Sequence, residues 1–198
     1  MRLVLTGAVV PATRVVRANP DIRLADYRSA IALWLTCSAF TDIVYLDANG
    51  TSVLTKQLHV MAANLGKDVS EKRYELAAVA QQFGKGRSEA MMLDSIVESF
   101  DGPFYKVTGR LFVRNNETLL QQKDPIIFDR HASSVDTRFF KADAAWFRST
   151  LTPRTSEISD NQRSTYIESI YFQANPGVPW RTRPRWVGYG ASTGRQLG

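Results

Sequence analysis

Two apolar runs, Leu3-Val4-Leu5-Thr6-Gly7-Ala8-Val9-Val10 and Ile43-Val44-Tyr45-Leu46, bracket a segment whose apolar residues recur at helical spacing. A short continuous apolar run is what a strand buried on both faces requires, and two such strands joined through a helix become parallel neighbours. The intervening helix is expected from about Leu24, with Tyr27, Ile31, Trp34 and Leu35 inward and Asp26, Arg28 and Ser29 outward. Pro11 and a loop rich in Arg, Asn and Pro separate it from the first strand. The second strand runs from Asp42 into Asp47 and an Asn49-Gly50 turn, which puts Asp47 at a carboxyl end.

The same alternation continues. Thr51 or Ser52 is expected to cap a helix carrying Leu54, Leu58, Met61 and Leu65 that stops at Gly66. A third strand is expected over Tyr74–Val79, a loop over Gln82–Arg87, and then a helix capped by Ser88 with Leu93, Ile96, Val97 and Phe100 inward. The strand Phe104–Val113 follows. The order β-α-β-α-β-α-β predicts an α/β fold: a single domain with an open, mainly parallel, Rossmann-like sheet flanked by helices. Ligands of such sheets gather beyond the carboxyl ends of the strands.

The rest of the chain is less regular. Ile126–Phe128 and Thr137–Phe140 read as short strands, Ala142–Leu151 and Arg163–Gln173 as helices, and Pro153–Gln162 as a polar loop before an aromatic, arginine-rich tail. The chain has 198 residues and 44% hydrophobic content, which suits one domain (1–198) with a soft internal boundary near residue 115. Its single cysteine, Cys37, excludes a disulfide framework, fits a reducing compartment and reads as a small packing residue. No stretch approaches the roughly 18 apolar residues that span a bilayer, and Leu3–Val10 is short for a secretory core.

The formal charge is +6 and unevenly placed: five arginines and two aspartates precede residue 29, and four arginines and no acid follow Glu168. Phosphorylated ligands, anionic lipid and nucleic acid all suit that balance. The strand Phe104–Val113 narrows the choice, because Lys106 and Arg110 flank Gly109 where a buried strand would be apolar. A guanidinium and a glycine at the end of a central strand point to a phosphorylated ligand, and the alternative is a solvated edge strand. Gly84-Lys85-Gly86-Arg87-Ser88 lacks the spacing of an ATPase phosphate loop, and no nucleophile elbow or dinucleotide glycine motif occurs.

Several segments together resemble a known family: Thr6-Gly7-Ala8-Val9-Val10-Pro11, Arg23-Leu24-Ala25-Asp26-Tyr27, Ile43 to Gly50, Gly84-Lys85-Gly86-Arg87-Ser88-Glu89 and Lys106-Val107-Thr108-Gly109-Arg110. The chain is similar, over about residues 3–115 and more loosely at 135–140, 166–168 and 188–190, to small bacterial sugar transferases of cell-surface polysaccharide synthesis. These are nucleotide-sugar glycosyltransferases of the GT-A type.

The resemblance implies a nucleotide-binding half (1–115) and an acceptor or catalytic half (116–198). In the first, Thr6, Gly7 and Arg23 line the donor site, Asp47 or Asn49 reaches the base or ribose, and Lys85 meets the diphosphate. GT-A enzymes commonly carry an Asp-x-Asp metal site after the fourth strand, where this chain has Lys106 to Arg110. The implied substitute is the fixed charge of Lys106 and Arg110 on the departing diphosphate, with Mg²⁺ or Mn²⁺ on Asp136 and His131 as the alternative.

Glu168, on a late helix, is the first candidate for the base that deprotonates the acceptor, and Asp136 the second. For each the plain structural role stands beside it: an exposed helix acid for Glu168, and an ion pair with Arg138 for Asp136. Arg138, Trp180 and Arg185 are candidates for the acceptor, a glycan or lipid-linked glycan. The implied location is cytoplasmic, with the basic tail at the inner membrane face. The competing reading is a non-catalytic basic α/β module for nucleic acid or another polyanion, in which terminal arginines form one outer stripe.

Overall fold

The computed structural model describes residues 1–174, 177–189 and 196–197. The elements run β1 (Arg2–Gly7), α1 (Pro20–Thr36), β2 (Asp42–Asp47), α2 (Lys56–Asn64), β3 (Asp68–Arg73), α3 (Ala77–Phe83), α4 (Lys85–Val97), β4 (Pro103–Thr108), β5 (Leu111–Val113) and α5 (Asn116–Leu120). They continue with β6 (Ile127–Arg130), β7 (Val135–Asp143), α6 (Ala144–Thr150), a 3-10 turn (Thr152–Glu157), α7 (Ile167–Gln173), β8 (Trp186–Tyr189) and β9 (Gln196–Leu197).

Six strands form one sheet in the order β3-β2-β1-β4-β7-β6. The first four are parallel, and β7 runs antiparallel to both β4 and β6. The α/β fold with its open, mainly parallel sheet is therefore as expected. A three-stranded sheet, β5-β8-β9, ties the C-terminal part to the body.

The two-residue period of the strands divides the core. Leu3 and Leu5 of β1, Ile43 and Tyr45 of β2 and Tyr105 and Val107 of β4 face one layer, with Tyr27, Ile31, Trp34 and Leu35 of α1. Val4, Val44, Leu46 and Phe104 face the other, with Leu93, Ile96 and Val97 of α4 and Phe147 and Tyr171. Lys106 lies in the second series, so a charge stands in a row of core positions.

Several boundaries differ from the expectation. The third strand is Asp68–Arg73, and Tyr74–Val79 instead leads into the helix α3. β3 is a sheet edge whose side chains are mostly exposed, so it has no apolar signature, while the alanines after it favour a helix. α2 starts after Thr55, whose side chain accepts from the Leu58 amide.

Gln82–Arg87 is not a loop: Gly84 alone, at φ +101°, separates α3 from α4. That backbone is open to glycine at little strain, and a Cβ there would lie 2.4 Å from Cβ of Asp160. Helix α4 thus begins at Lys85 and carries Ser88 inside it. Cys37, just after α1, is exposed and not a packing residue.

The strand Phe104–Val113 is broken at Gly109. Its amide donates to the Thr6 carbonyl at 2.8 Å, and a Cβ would approach the Tyr45 ring at 3.0 Å and the Thr6 oxygen at 3.1 Å. The chain turns there, leaves the main sheet and pairs antiparallel with β8. Lys106 therefore stays in the sheet while Arg110 stands just beyond its carboxyl edge.

Candidate functional site

A cavity of about 670 Å³ opens beyond the carboxyl ends of β1 and β4. Its walls are the loop after β1, the first turns of α4, the turn and strand from His131 to Arg138, and the Asp160 and Tyr166–Glu168 segments. It brings together Thr6, Gly7, Arg23, Asn49, Lys85, Arg110, His131, Asp136, Arg138 and Glu168 from both halves of the chain.

Arg110 is the principal cation of this cavity. It is only 6% exposed, yet its Nε and Nη1 are buried without a hydrogen-bond partner. Burial pushes its pKa below the usual value, and Arg23 and Arg17 add to that while Tyr27 and Asp26 oppose it. A buried guanidinium with unused donors is matched by an anion that accepts from its planar fork.

Arg23, by contrast, is spent on the fold. Its Nε donates to the carbonyls of Ala8 at 3.0 Å and Val9 at 3.1 Å, Nη1 to Arg17 at 3.2 Å, and Nη2 to the Tyr27 hydroxyl at 3.1 Å. It shapes the loop that walls the cavity.

Acids line the same cavity. Burial pushes the Glu168 carboxyl above the usual range, and the charges of Glu89 and Asp160 push it further while Lys85 opposes. Asp160 is likewise raised by burial, against the amide of Gly86 and the charge of Lys85, with Glu89 adding to the rise. Thr137 links this group to the sheet: its hydroxyl donates to Glu168 Oε1 at 3.4 Å and its carbonyl accepts from Lys106 Nζ at 2.6 Å.

Four predicted site residues are placed elsewhere. Asp47 is fully buried beneath the cavity, accepting from the amides of Val9 (3.1 Å), Asn49 (2.9 Å) and Thr51 (3.0 Å) and from the Tyr45 hydroxyl (3.2 Å). Its four donors are backbone and core groups, so it braces two loops and is shut off from a base or ribose.

Lys106 has no exposed surface and forms an ion pair with Glu89, so it acts through that carboxylate. Trp180 is buried, stacked on Phe139 at 5.0 Å, and anchors the C-terminal segment. Arg185 is exposed and does not line the cavity, its amide donating to Asn115 Oδ1 at 2.7 Å. Gly190, in the tail segment likened to the family, lies outside the described residues.

Glu89 and Asp160 are absent from the predicted set. Glu89 falls just after Ser88, the expected cap of that helix, where no apolar period marks its orientation; in α4 it lines the cavity. Asp160 sits in polar surroundings without periodicity, and only the contact with Gly84 and Gly86 brings it to the site.

The donor set does not fit a divalent cation. After β4 stand Thr108, Gly109 and Arg110, and the Asp136 carboxylate is held by Arg138, whose Nε lies 3.0 Å from Oδ1 and 2.9 Å from Oδ2. His131 lines the same cavity, and among the described residues no three His, Cys, Asp or Glu side chains form a metal-sized group.

No protein-family model and no curated protein sequence matches the chain. Solved structures do resemble it. One is the glycosyltransferase GlyE of Streptococcus pneumoniae TIGR4, with a TM-score of 0.59 and 10% identity over 87% of this chain and 43% of GlyE. Another is the galactosyltransferase LgtC in complex with donor and acceptor sugar analogs, with a TM-score of 0.57 and 10% identity over 90% of this chain and 72% of LgtC. The chain thus spans less than half of GlyE. At this identity the likeness is one of fold: a GT-A-type, Rossmann-like sheet whose carboxyl edge carries the cavity described above.

Proposed function

We propose that the protein is a glycosyltransferase that moves a sugar from a nucleotide-sugar donor to a glycan or lipid-linked glycan, with a guanidinium serving where an Asp-x-Asp metal site is usual. The carrying observation is Arg110, a buried guanidinium at the carboxyl edge of β4 that lines the cavity and has two donors without a partner. In this reading it binds the donor diphosphate and stabilises the charge that develops as the nucleotide departs. Asn49, whose side-chain oxygen is buried without a partner, accepts from the nucleoside, and Thr6 and Gly7 form the floor beneath it.

Glu168 takes the proton of the acceptor hydroxyl as that oxygen attacks the anomeric carbon and the bond to the diphosphate breaks. Its raised pKa suits a base that must release the proton again. The acceptor enters past Arg138 and Tyr166, which line the cavity. A polysaccharide acceptor, and a cytoplasmic position at an anionic membrane surface, follow from the same reading. No helix among the described residues is long and apolar enough to cross a membrane.

The polyanion-binding reading is the weaker one, because several arginines, two of them near the N-terminus, are held in ion pairs. Arg2 pairs with Asp42, Arg17 with Asp26, Arg138 with Asp136, Arg148 with Asp101 and Arg154 with Glu157.

A thermal-shift series with UDP, GDP, CMP and dTDP, each with Mg²⁺, with Mn²⁺ and with chelator, tests the proposal. One nucleotide should stabilise the protein equally in all three conditions, and Arg110→Ala should abolish the shift. Stabilisation that needs the metal would remove Arg110 from this role. No response to any nucleotide, with salt-sensitive oligonucleotide binding, would replace the transferase by the binding module.

A further inference from the structure

Two buried guanidiniums line the cavity, and their donors are used in opposite ways. Arg23 is 4% exposed and donates from all three of its nitrogens, whereas Arg110 is 6% exposed and has Nε and Nη1 without a partner. The acceptors at the end of β1 account for the difference. The Ala8 carbonyl accepts from Nε and Nη2 of Arg23, at 3.0 and 2.5 Å, and from the Tyr27 hydroxyl at 3.4 Å, which fills its lone pairs. The Val9 and Arg17 carbonyls and the Tyr27 oxygen are taken by Arg23 as well. Arg110 follows directly beside them, because the Gly109 amide donates to the Thr6 carbonyl and a Cβ on Gly109 would lie 3.3 Å from the Tyr27 ring.

We propose that Arg23 is the positioning residue of Arg110: it occupies the acceptors at the end of β1 and repels the second guanidinium by its own charge, so that Arg110 stays unpaired until a phosphate anion enters. The inference rests on the part given to Arg110 in the transferase reading above. The same contacts fix both ends of one loop, since Ala8 and Val9 open it and Arg17 closes it, and Pro11, Ala12, Thr13 and Val15 of that loop line the cavity. Burial lowers the Arg110 pKa and the charge of Arg23 lowers it further, against Tyr27, as two cations brought into one buried site require. A ligand with two phosphates feels the field of both cations while it accepts hydrogen bonds from Arg110.

Melting of the unliganded protein in a double-mutant cycle tests this. Arg110→Met should raise the melting temperature of the wild type, because an unpartnered buried cation is removed. In the Arg23→Gln background the same substitution should lower it, because Arg110 then donates to the vacated carbonyls. In the Arg23→Lys background, which keeps the charge, the rise should return. Shifts of one sign and size in all three backgrounds are what a merely structural Arg23 gives, and they would overturn the inference.

Calorimetric titration with inorganic pyrophosphate is the second readout. Arg23→Lys should bind it within about threefold of wild type, and Arg23→Gln about tenfold or more weaker. A loss of about tenfold or more in Arg23→Lys would also overturn the inference, and that variant decides the matter where Arg23→Gln does not melt cooperatively. Pyrophosphate affinity that Arg110→Met leaves unchanged would instead sink the role of Arg110 in the transferase reading, whatever the melting series gives.

Discussion

Lys106 and Glu89 form an ion pair across β4 and α4 in which the ammonium side chain is wholly buried and the carboxylate side chain keeps 23% of its surface exposed. The two halves of the pair are therefore unequal. Removing Glu89 strands a charge with no water, whereas removing Lys106 leaves a carboxylate that solvent can reach. Glu89→Ala should lower stability by about 3 kcal/mol, and Lys106→Met by clearly less. Urea unfolding of the two variants decides this, and equal losses would contradict the asymmetry.

Arg110 carries the opposite sign. An unpartnered buried guanidinium weakens the empty protein and strengthens a phosphate complex, so Arg110→Met should raise the stability of the unliganded protein by about 1 kcal/mol. The same substitution should weaken nucleoside diphosphate binding by about 2 kcal/mol, close to thirtyfold. Melting curves and titration calorimetry on one preparation measure both, and a stabilised variant with unchanged affinity would separate Arg110 from the ligand.

Glu168 links pH to both activity and stability. Its folded pKa lies above its unfolded value, so the folded state holds the extra proton and ionisation opposes folding. The destabilisation is absent at pH below the unfolded value and grows as pH rises through the folded one. Glu168→Gln should accordingly stabilise the protein near neutral pH, with the gain fading in acid. As loss of a general base it should lower kcat by about 10²–10⁴-fold. In the wild type, the acid limb of the rate profile should fall at a higher pH than an ordinary carboxylate gives; a limb at the ordinary position would assign the base elsewhere.

Asp47 should behave as a structural residue. Asp47→Asn keeps the volume but sets an amide group against hydrogen-bond donors, and its cost is about 3 kcal/mol of stability. Nucleotide affinity measured well below the melting temperature should change little. A large loss of affinity in a fully stable variant would restore Asp47 to the ligand.

What the sequence by itself determined is the alternation that makes the sheet. Leu3–Leu5 and Ile43–Leu46 are apolar on both faces, Tyr27, Ile31, Trp34 and Leu35 recur on one helix face, and together they leave a parallel sheet as the consistent arrangement. Such patterns are local, because burial is written into consecutive residues by the period of the element.

Charged residues obey no such period, and only the tertiary structure decided their parts. Asp47, Lys106 and Arg110 look alike as charges near strand ends. Backbone amides surround the first, Glu89 neutralises the second, and the turn at Gly109 carries the third into the cavity without a partner. Glu89 and Asp160 lie far apart in the chain and come to line one cavity, Gly84 and Gly86 packing against Asp160. Whether a carboxylate braces a loop or faces a ligand depends on which donors the fold brings to it, and those donors come from distant segments.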